Sequence, residues 1–247
     1  LRQVMLVKSR SVLPFLIQYL TLPPVNINAL CKLCSCASSE VLSRHLNKIL
    51  ITLVNAVAVH ELDGAEQTKT TWLAESESRL LSIVEPEGVK TILSELIAYS
   101  QPPSSNQSSS SSEQSLKFRF SALDMLMMFC SKTEADFADH VDDLVKHLLY
   151  LLSETNEHIL LRAWTCLSQV IDSLKGNDLI ERLQIIRQTL RMITSTANTI
   201  TQLPGFCVPK KGINCLLPIF KEGLLNSTPE IKELSAIILT ECIKLSK

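Results

Sequence analysis

Three cysteines close together in the sequence are the strongest candidate for metal chemistry. Cys31, Cys34 and Cys36 form a Cys-x-x-Cys-x-Cys pattern, and two thiolates at the first spacing can bind zinc. A structural zinc site needs four ligands, yet His45 stands alone and the sequence has no second Cys-x-x-Cys. Because free cysteine is among the most buried residue types, we interpret these thiols as helical core and predict no metal site.

Other residue patterns that carry catalysis do not occur in the sequence. The five histidines form no His-Glu-x-x-His pair, and the six glycines form neither Gly-x-x-x-x-Gly-Lys nor Gly-x-Gly-x-x-Gly. Asp136, Asp139, Asp142 and Asp143 lack the loop glycine of a calcium site, so we interpret them as a solvated helix face. An enzyme with an unfamiliar site would need convergent polar groups. The sequence therefore predicts no enzyme, no cofactor and no small-molecule substrate.

The composition favours packed helices. The chain has 46% hydrophobic and 5% aromatic residues, with 24 basic and 25 acidic ones, so no global attraction to nucleic acid or membrane is expected. The eight cysteines lie mostly in apolar helical patterns, as reduced thiols do, which predicts a cytoplasmic protein. The apolar runs are too short to span a membrane, so no membrane contact is predicted. The start at Leu1 and the end directly after a periodic helix suggest a fragment of a longer chain.

One helix pattern recurs along the chain. Amphipathic segments begin at Val25, Phe118, Leu161 and Ile231. Each begins with the same order of residues, which is apolar, polar or basic, two variable, and small. The step from 118 to 161 is 43 residues, which is a HEAT period. The fold class predicted is therefore all-α, a HEAT-repeat α-solenoid built as a right-handed superhelix of antiparallel helix pairs.

The other sequence separations between these starting residues predict where the remaining repeat units lie. The longer first step predicts a further inner helix around 68–83, and the short last step predicts one long helix over 177–197 followed by an ordered loop. The serine tract cannot bury apolar surface, so residues 101–115 are predicted to be a disordered loop. The whole array, 1–247, is predicted to have units at about 11–38, 40–85, 86–131, 133–174, an irregular 175–209, and 210–247.

Capping residues and prolines support these helix pairs. Thr228 can cap a helix that begins at Pro229, and a capping box from Ser227 to Glu230 is the alternative. Pro14 and Pro218 stand at matching points of two outer helices, where we expect each of them to kink its helix.

Charge is distributed unevenly along the second half of the chain. Between 132 and 158 seven acidic residues oppose two basic ones, whereas between 175 and 211 six basic residues oppose two acidic ones. Arg187 and Arg191 are one helical turn apart, and Lys210 and Lys211 follow the long helix. These four residues are the candidate partner-binding site, for RNA or an acidic protein surface. A plain solvated face remains the alternative.

Several segments carry a family resemblance. Leu203-Pro204-Gly205-Phe206-Cys207-Val208-Pro209-Lys210-Lys211-Gly212 is the most specific, and the opening Leu1-Arg2-Gln3-Val4, Pro23-Pro24-Val25-Asn26 and Glu134-Ala135-Asp136-Phe137 agree with it in one register. Together they resemble the giant general-control translational activators, the ribosome-associated HEAT-repeat activators of the starvation kinase of initiation factor 2 alpha. Departures from the family cluster between Ala65 and Ser115.

The resemblance implies a pathway that the repeat pattern alone does not. It implies a cytoplasmic, non-catalytic scaffold on stalled ribosomes that passes the uncharged-tRNA signal to the kinase. The ribosome and the RWD-domain kinase are the implied partners, through the whole protein, because in the family the RWD domain is held by a more carboxy-terminal segment. A generic HEAT adaptor of nuclear transport or of a phosphatase scaffold is the rival that the repeat pattern leaves open.

Overall fold

The structure, a computed structural model, describes residues 2–62, 71–102, 112–197 and 213–245. Within these ranges the chain forms twelve α-helices, two 3-10 turns and no strand, which confirms the all-α prediction. The chain divides into two compact units, residues 1–137 and 138–247, and each is described by itself.

The first unit holds seven helices around an aliphatic core. α4 packs on α7, α7 packs on α5 and α6, and α2 packs on α1 and α5. Leu50, Leu53, Leu126 and Phe129 are almost completely buried between these helices. The helices are α1 (Arg2–Leu20), α2 (Ile27–Cys36), α3 (Ser39–Ser43), α4 (Leu46–Leu62), α5 (Thr71–Ser82), α6 (Pro86–Ser100) and α7 (Ser112–Lys132).

The second unit holds five helices. α8 packs on α9 and α10, and α10 also contacts α11 and α12. Trp164 on α9 is 9% exposed, and Phe220 on α11 is fully buried. The helices are α8 (Val141–Leu151), α9 (Glu157–Ser173), α10 (Asn177–Ala197), α11 (Leu217–Leu225) and α12 (Pro229–Leu245), and the 3-10 turns are Ala138–His140 and Asn214–Leu216.

The helices that the repeat spacing predicted are present. The inner helix expected around 68–83 is α5, and the long helix expected over 177–197 is α10 with those bounds. α8 and α9 pack on each other across the short turn 152–156, so they run antiparallel, as expected for a helix pair. The loop expected after α10 lies outside the described residues.

Side-chain caps fix where several helices begin. The Asn26 carboxamide oxygen accepts a hydrogen bond from the Ala29 amide at 3.0 Å, and the Asn156 oxygen accepts from His158 and Ile159 at 3.0 and 3.2 Å. Each bond satisfies an amide that the helix itself leaves unpaired. α12 begins at Pro229, directly after Thr228. Ser227 donates instead to the Glu222 carbonyl of the preceding helix at 3.3 Å, so Thr228 occupies the capping position.

The prediction that Pro14 and Pro218 each kink an outer helix is wrong for Pro218. Pro14 lies inside α1, whose backbone leaves helical geometry at Lys8, whereas Pro218 lies in the first turn of α11. The 3-10 turn Asn214–Leu216 leads into α11, so the missing amide hydrogen of Pro218 falls where no helical bond would form. Pro218 therefore starts a helix and does not kink one.

The prediction that residues 101–115 form a disordered loop is wrong for residues 112–115. Residues 103–111 lie outside the described residues, but α7 already begins at Ser112, so 112–115 are helical. An acidic residue in the first turn, Glu113, pairs with Lys117 one turn later at 3.5 Å. This pair and the favourable interaction of Glu113 with the helix dipole extend α7 toward its amino end.

Candidate binding surface on α10

The long helix α10 buries an apolar stripe and exposes mostly polar residues, although Met192 is 51% exposed. Its apolar stripe faces the helices around it and repeats at spacings of four and three, with Leu179, Leu183, Ile186, Leu190 and Ile193 almost fully buried. On the other side Gln184, Gln188 and Arg191 are exposed. The packing of the stripe on α8, α11 and α12 thus fixes which side of α10 meets solvent.

Arg187 and Arg191 lie on one side of α10, at the border of the buried stripe. They are four residues apart, so they stand one above the other on the helix. Arg191 is exposed and Arg187 is half-buried. The Nε atom of Arg187 is buried and has no hydrogen-bond partner among the described residues. This side of α10 therefore carries two arginines one helical turn apart.

Lys210 and Lys211, the other two members of the predicted site, lie outside the described residues. Their position relative to Arg187 and Arg191 stays a prediction. We use the name α10 basic surface for Arg187 and Arg191.

A third arginine of the same basic stretch is turned inward. The Arg182 side chain is 12% exposed, and it forms an ion pair with Asp142 of α8. It also donates from Nε to the Asp178 carbonyl at 3.1 Å and contacts the Glu181 carboxylate at 3.3 Å. Burial lowers the pKa of the Arg182 guanidinium. Arg182 therefore does not contribute to a basic surface.

Sequence spacing alone does not reveal this pair. Arg182 is three residues after Leu179 and four before Ile186, which places it beside the buried stripe of α10, but Arg187 stands in the same relation to Leu183 and Leu190. Asp142 is likewise three residues before Val145, a buried residue of α8. The Asp142 side chain is 49% exposed, as expected for a solvated face, but its carboxylate also joins α8 to α10.

Two arginines of the first unit close the ends of helices. Arg79 on α5 donates from Nη1 to the carbonyls of Cys34 and Ser35 at 2.9 and 2.8 Å, and from Nη2 to Ala37 at 2.7 Å. Arg119 on α7 donates to the Ser100 carbonyl at the end of α6, at 2.9 Å. The last carbonyls of a helix lack amide partners and carry the negative end of its dipole. Both arginines therefore stabilise helix ends from inside the fold.

The three cysteines of α2 lie where core thiols were predicted. Cys31 and Cys34 are buried, and Cys36 is half-buried. Burial raises the pKa of the Cys31 thiol and raises that of Cys34 to about 12, so both stay protonated at neutral pH. A cleft of about 330 Å³ between α2 and α5 borders Cys31, Ser76 and Arg79. The core interpretation is confirmed for Cys31 and Cys34.

The described ranges of the chain also lack two other features. No three acidic, histidine or cysteine side chains in these ranges lie close enough together to hold a metal ion. None of the helices there is both long and apolar enough to cross a membrane.

The fold pairs amphipathic helices across short turns and leaves the polar side of α10 exposed. This arrangement is that of the helical-repeat proteins of the HEAT type, which bind partners along extended surfaces. The profile of the family described as "Stalled ribosome sensor GCN1-like, HEAT repeats" matches residues 12–210. The chain therefore belongs to this family.

The similar proteins are much longer than this chain. "Stalled ribosome sensor GCN1" from Homo sapiens is 31% identical over 246 residues, which cover all of this chain and 9% of that protein. "Protein ILITYHIA" from Arabidopsis thaliana is 27% identical over all of this chain and 9% of its own length. "eIF-2-alpha kinase activator GCN1" from Saccharomyces cerevisiae is 25% identical, over 98% of this chain and 8% of its own. No solved structure matches.

Proposed function

We propose that this chain is a non-catalytic scaffold segment of a cytoplasmic, ribosome-associated activator of the initiation factor 2 alpha kinase. The family match over residues 12–210 carries the proposal. Two relatives, one human and one from yeast, are named a stalled ribosome sensor and an eIF-2-alpha kinase activator. Because the chain spans less than a tenth of their length, contact with the RWD-domain kinase is proposed for the whole protein.

Within this segment we propose that the α10 basic surface contacts the phosphate backbone of ribosomal RNA. Arginine suits this contact because its planar guanidinium donates two parallel hydrogen bonds to a phosphate. The half-buried position of Arg187 restricts the freedom of its side chain, so less conformational entropy is lost on binding. An acidic protein surface is the second candidate, favoured by the same charges.

Ribosome co-sedimentation tests this contact. We expect the chain to bind ribosomes less tightly as salt rises, because bound phosphates release their counterions. Charge reversal of Arg187 and Arg191 to Glu should lower the affinity about tenfold or more and flatten the salt dependence by about one power of salt per lost phosphate contact. Adding Lys210→Glu and Lys211→Glu should deepen the loss.

The matched control reverses two exposed lysines of the same unit, Lys146→Glu and Lys221→Glu, which gives the same change in net charge. Equal losses in the two double variants would mean that only net charge matters, and the α10 basic surface would then have no specific role. Binding to naked ribosomal RNA separates the two partners, since a protein contact would be lost once ribosomal proteins are removed.

The pathway is tested in cells. A chimera of the yeast relative, in which this chain replaces the matching 8%, should restore phosphorylation of eIF-2-alpha on amino-acid starvation in cells that lack the relative. The same chimera with all four basic residues reversed should restore less. If the reversed chimera binds ribosomes and supports phosphorylation fully, the four residues are a solvated face.

The generic adaptor of nuclear transport or phosphatase scaffolds is not favoured. The matched family model covers most of the chain, whereas that alternative was supported by the repeat pattern alone.

A further inference from the structure

A polar cleft opens in the first unit where α4 and α6 begin. Its volume is about 390 Å³, and the residues that line it come from the start of both helices. α4 and α6 also contact each other, so each of them forms one wall. The volume lies within the range of about 300 to 1,000 Å³ that is usual for ligand sites. The cleft is therefore large enough to hold part of a partner.

The two walls of this cleft carry opposite charges. Arg44 and Lys48 line it at the start of α4, and the half-buried His45 lies between them in the sequence. Glu85 and Glu87 line it at the start of α6. The two basic and the two acidic side chains are exposed. We use the name charged cleft for these five residues.

The opposite charges do not neutralise each other. Arg44 pairs on its own side of the cleft with Glu40, at 3.7 Å between two exposed groups. The side chains of Lys48, Glu85 and Glu87 form no ion pair within the described ranges of the chain. Glu85 also forms no side-chain hydrogen bond to the start of α6. The two walls therefore border one open space without closing it.

Helix stability explains only one of the two walls. The amino end of a helix carries the positive end of its dipole, where acidic residues are favourable and basic ones are not. Glu87 in the first turn of α6 follows this preference. The first turn of α4 holds no acidic residue and contains Lys48, which opposes the preference. The acidic wall thus stabilises its own helix, whereas the basic wall needs another explanation.

The lining of the charged cleft favours a segment of a protein as its occupant. Small-molecule sites are lined mostly by apolar and aromatic side chains, but here the apolar residue Leu46 is itself buried. Complementary charges are typical of contacts between proteins. Successive side chains of an extended chain point to opposite sides. An extended segment that lies along the cleft would therefore direct alternate side chains to the basic and to the acidic wall.

We propose that the charged cleft binds an extended segment of a partner protein in which acidic and basic residues alternate. The acidic side chains of the segment pair with Arg44 and Lys48. Its basic side chains pair with Glu85 and Glu87. The inference goes beyond the proposed scaffold function and does not depend on it, because the cleft lies in the first unit and the α10 basic surface in the second.

Two synthetic peptides of identical composition test the pattern. One is an octapeptide of alternating glutamate and lysine, and the other has four glutamates followed by four lysines, so both have no net side-chain charge. We expect the chain to bind the alternating peptide at least about fivefold more tightly in fluorescence anisotropy, because only this peptide presents a matching charge to each wall. Equal affinities, or no saturable binding of the alternating peptide, would overturn the proposal.

Charge reversal of the walls tests the site. Arg44→Glu with Lys48→Glu should weaken binding of the alternating peptide at least about tenfold, because both walls then repel its acidic side chains. Adding Glu85→Lys and Glu87→Lys should recover most of the affinity, since the peptide, moved by one residue, matches the exchanged walls. The quadruple variant has the net charge of the original chain, so its recovery cannot arise from total charge in comparison with that chain.

Matched controls separate the site from general effects of charge and folding. Lys146→Glu with Lys221→Glu makes the same change in net charge in the second unit and should leave peptide binding unchanged. Circular dichroism checks that each variant is folded, and Lys48→Ala is a milder variant that should also weaken binding. An equal loss in the control, or a folded quadruple variant that does not recover binding, would contradict the proposal. The quadruple variant should co-sediment with ribosomes as the original chain does, so this site and the α10 basic surface can fail independently.

Discussion

Arg79 of α5 and Arg187 of α10 have the same side chain in opposite roles. Arg79 makes three hydrogen bonds to the carbonyls that end α2, whereas the buried Nε of Arg187 has no hydrogen-bond partner among the described residues. The difference lies in what surrounds each guanidinium, since one meets a helix end and the other the border of a packed stripe. A count of basic residues therefore says little about which of them can meet a partner.

The largest expected effect belongs to the packed interior. Trp164→Ala should destabilise the protein by about 3 to 5 kcal/mol, because it removes a large side chain that the structure buries and leaves a cavity. Leu161→Ala, three residues earlier on α9 but 47% exposed, should cost less than about 1 kcal/mol. Urea unfolding measures both, and a loss below about 1 kcal/mol for Trp164→Ala would place this ring outside the core.

Removal of a helix-closing arginine should have the next largest effect. Arg79→Ala leaves the carbonyls at the end of α2 without these donors and should cost about 1.5 to 3 kcal/mol, the usual range for hydrogen bonds to a charged group. Arg44→Ala removes only an exposed pair with Glu40 at 3.7 Å and should cost about 0.5 kcal/mol or less. If Arg79→Ala and Arg44→Ala lower the free energy of unfolding equally, Arg79 contributes no more to stability than a surface arginine does.

A smaller effect is expected for the ion pair between α8 and α10. Arg182→Ala should cost about 1 to 2 kcal/mol, between the values for exposed and buried pairs, because Arg182 is mostly buried while the Asp142 side chain is 49% exposed. A double-mutant cycle with Asp142→Ala isolates the pair itself and should give about 0.5 to 1 kcal/mol, less at high salt. Strict additivity of the two changes would show that the pair contributes nothing.

The smallest effect at neutral pH concerns the buried thiols. Burial raises the pKa of Cys34, Cys215 and Cys242 to about 12 from an ordinary 9.0, so the folded protein holds them protonated. Their contribution to stability is complete below pH 9 and is lost as the pH rises from 9 toward 12.

Alkylation at pH 8 measures this protection. These three thiols should react at least about a hundredfold more slowly in the folded chain than in urea, because the thiolate is the reactive form and the folded chain buries it. A chelator should leave the rates unchanged. Rapid labelling of Cys34 in the folded chain, or its acceleration by the chelator, would contradict the core interpretation.

The elements that were predictable from the sequence are those that local spacing determines. The bounds of α10 follow from an apolar period maintained over 177–197, and the turn before α9 follows from its cap. The partner of Arg79 was not predictable in this way, because its carbonyl acceptors lie 42 to 45 residues earlier in the chain. Pro218 was misread because a proline in a first turn and one in a helix interior look alike in sequence.

The candidate site was predictable only in part. The helical spacing of Arg187 and Arg191 places them on one side of α10, as expected. Arg182 borders the apolar stripe as Arg187 does, so a helical projection of α10 does not separate them, and only the contact of Arg182 with Asp142 on α8 does. Contact between these arginines and Lys210 or Lys211 depends on tertiary structure beyond α10, which no local pattern determines.

The sequence separation between Arg79 and its carbonyl acceptors also determines the order in which these groups are synthesised. The carbonyls that end α2 leave the ribosome first, and the guanidinium that closes them follows up to 45 residues later. At a synthesis rate of about 5 to 20 residues per second, the carbonyls at the end of α2 lack the Arg79 donor for roughly 2 to 9 seconds. During that interval water must solvate these carbonyls, so α2 reaches its full stability only when the α5 of the following repeat has emerged and folded against it.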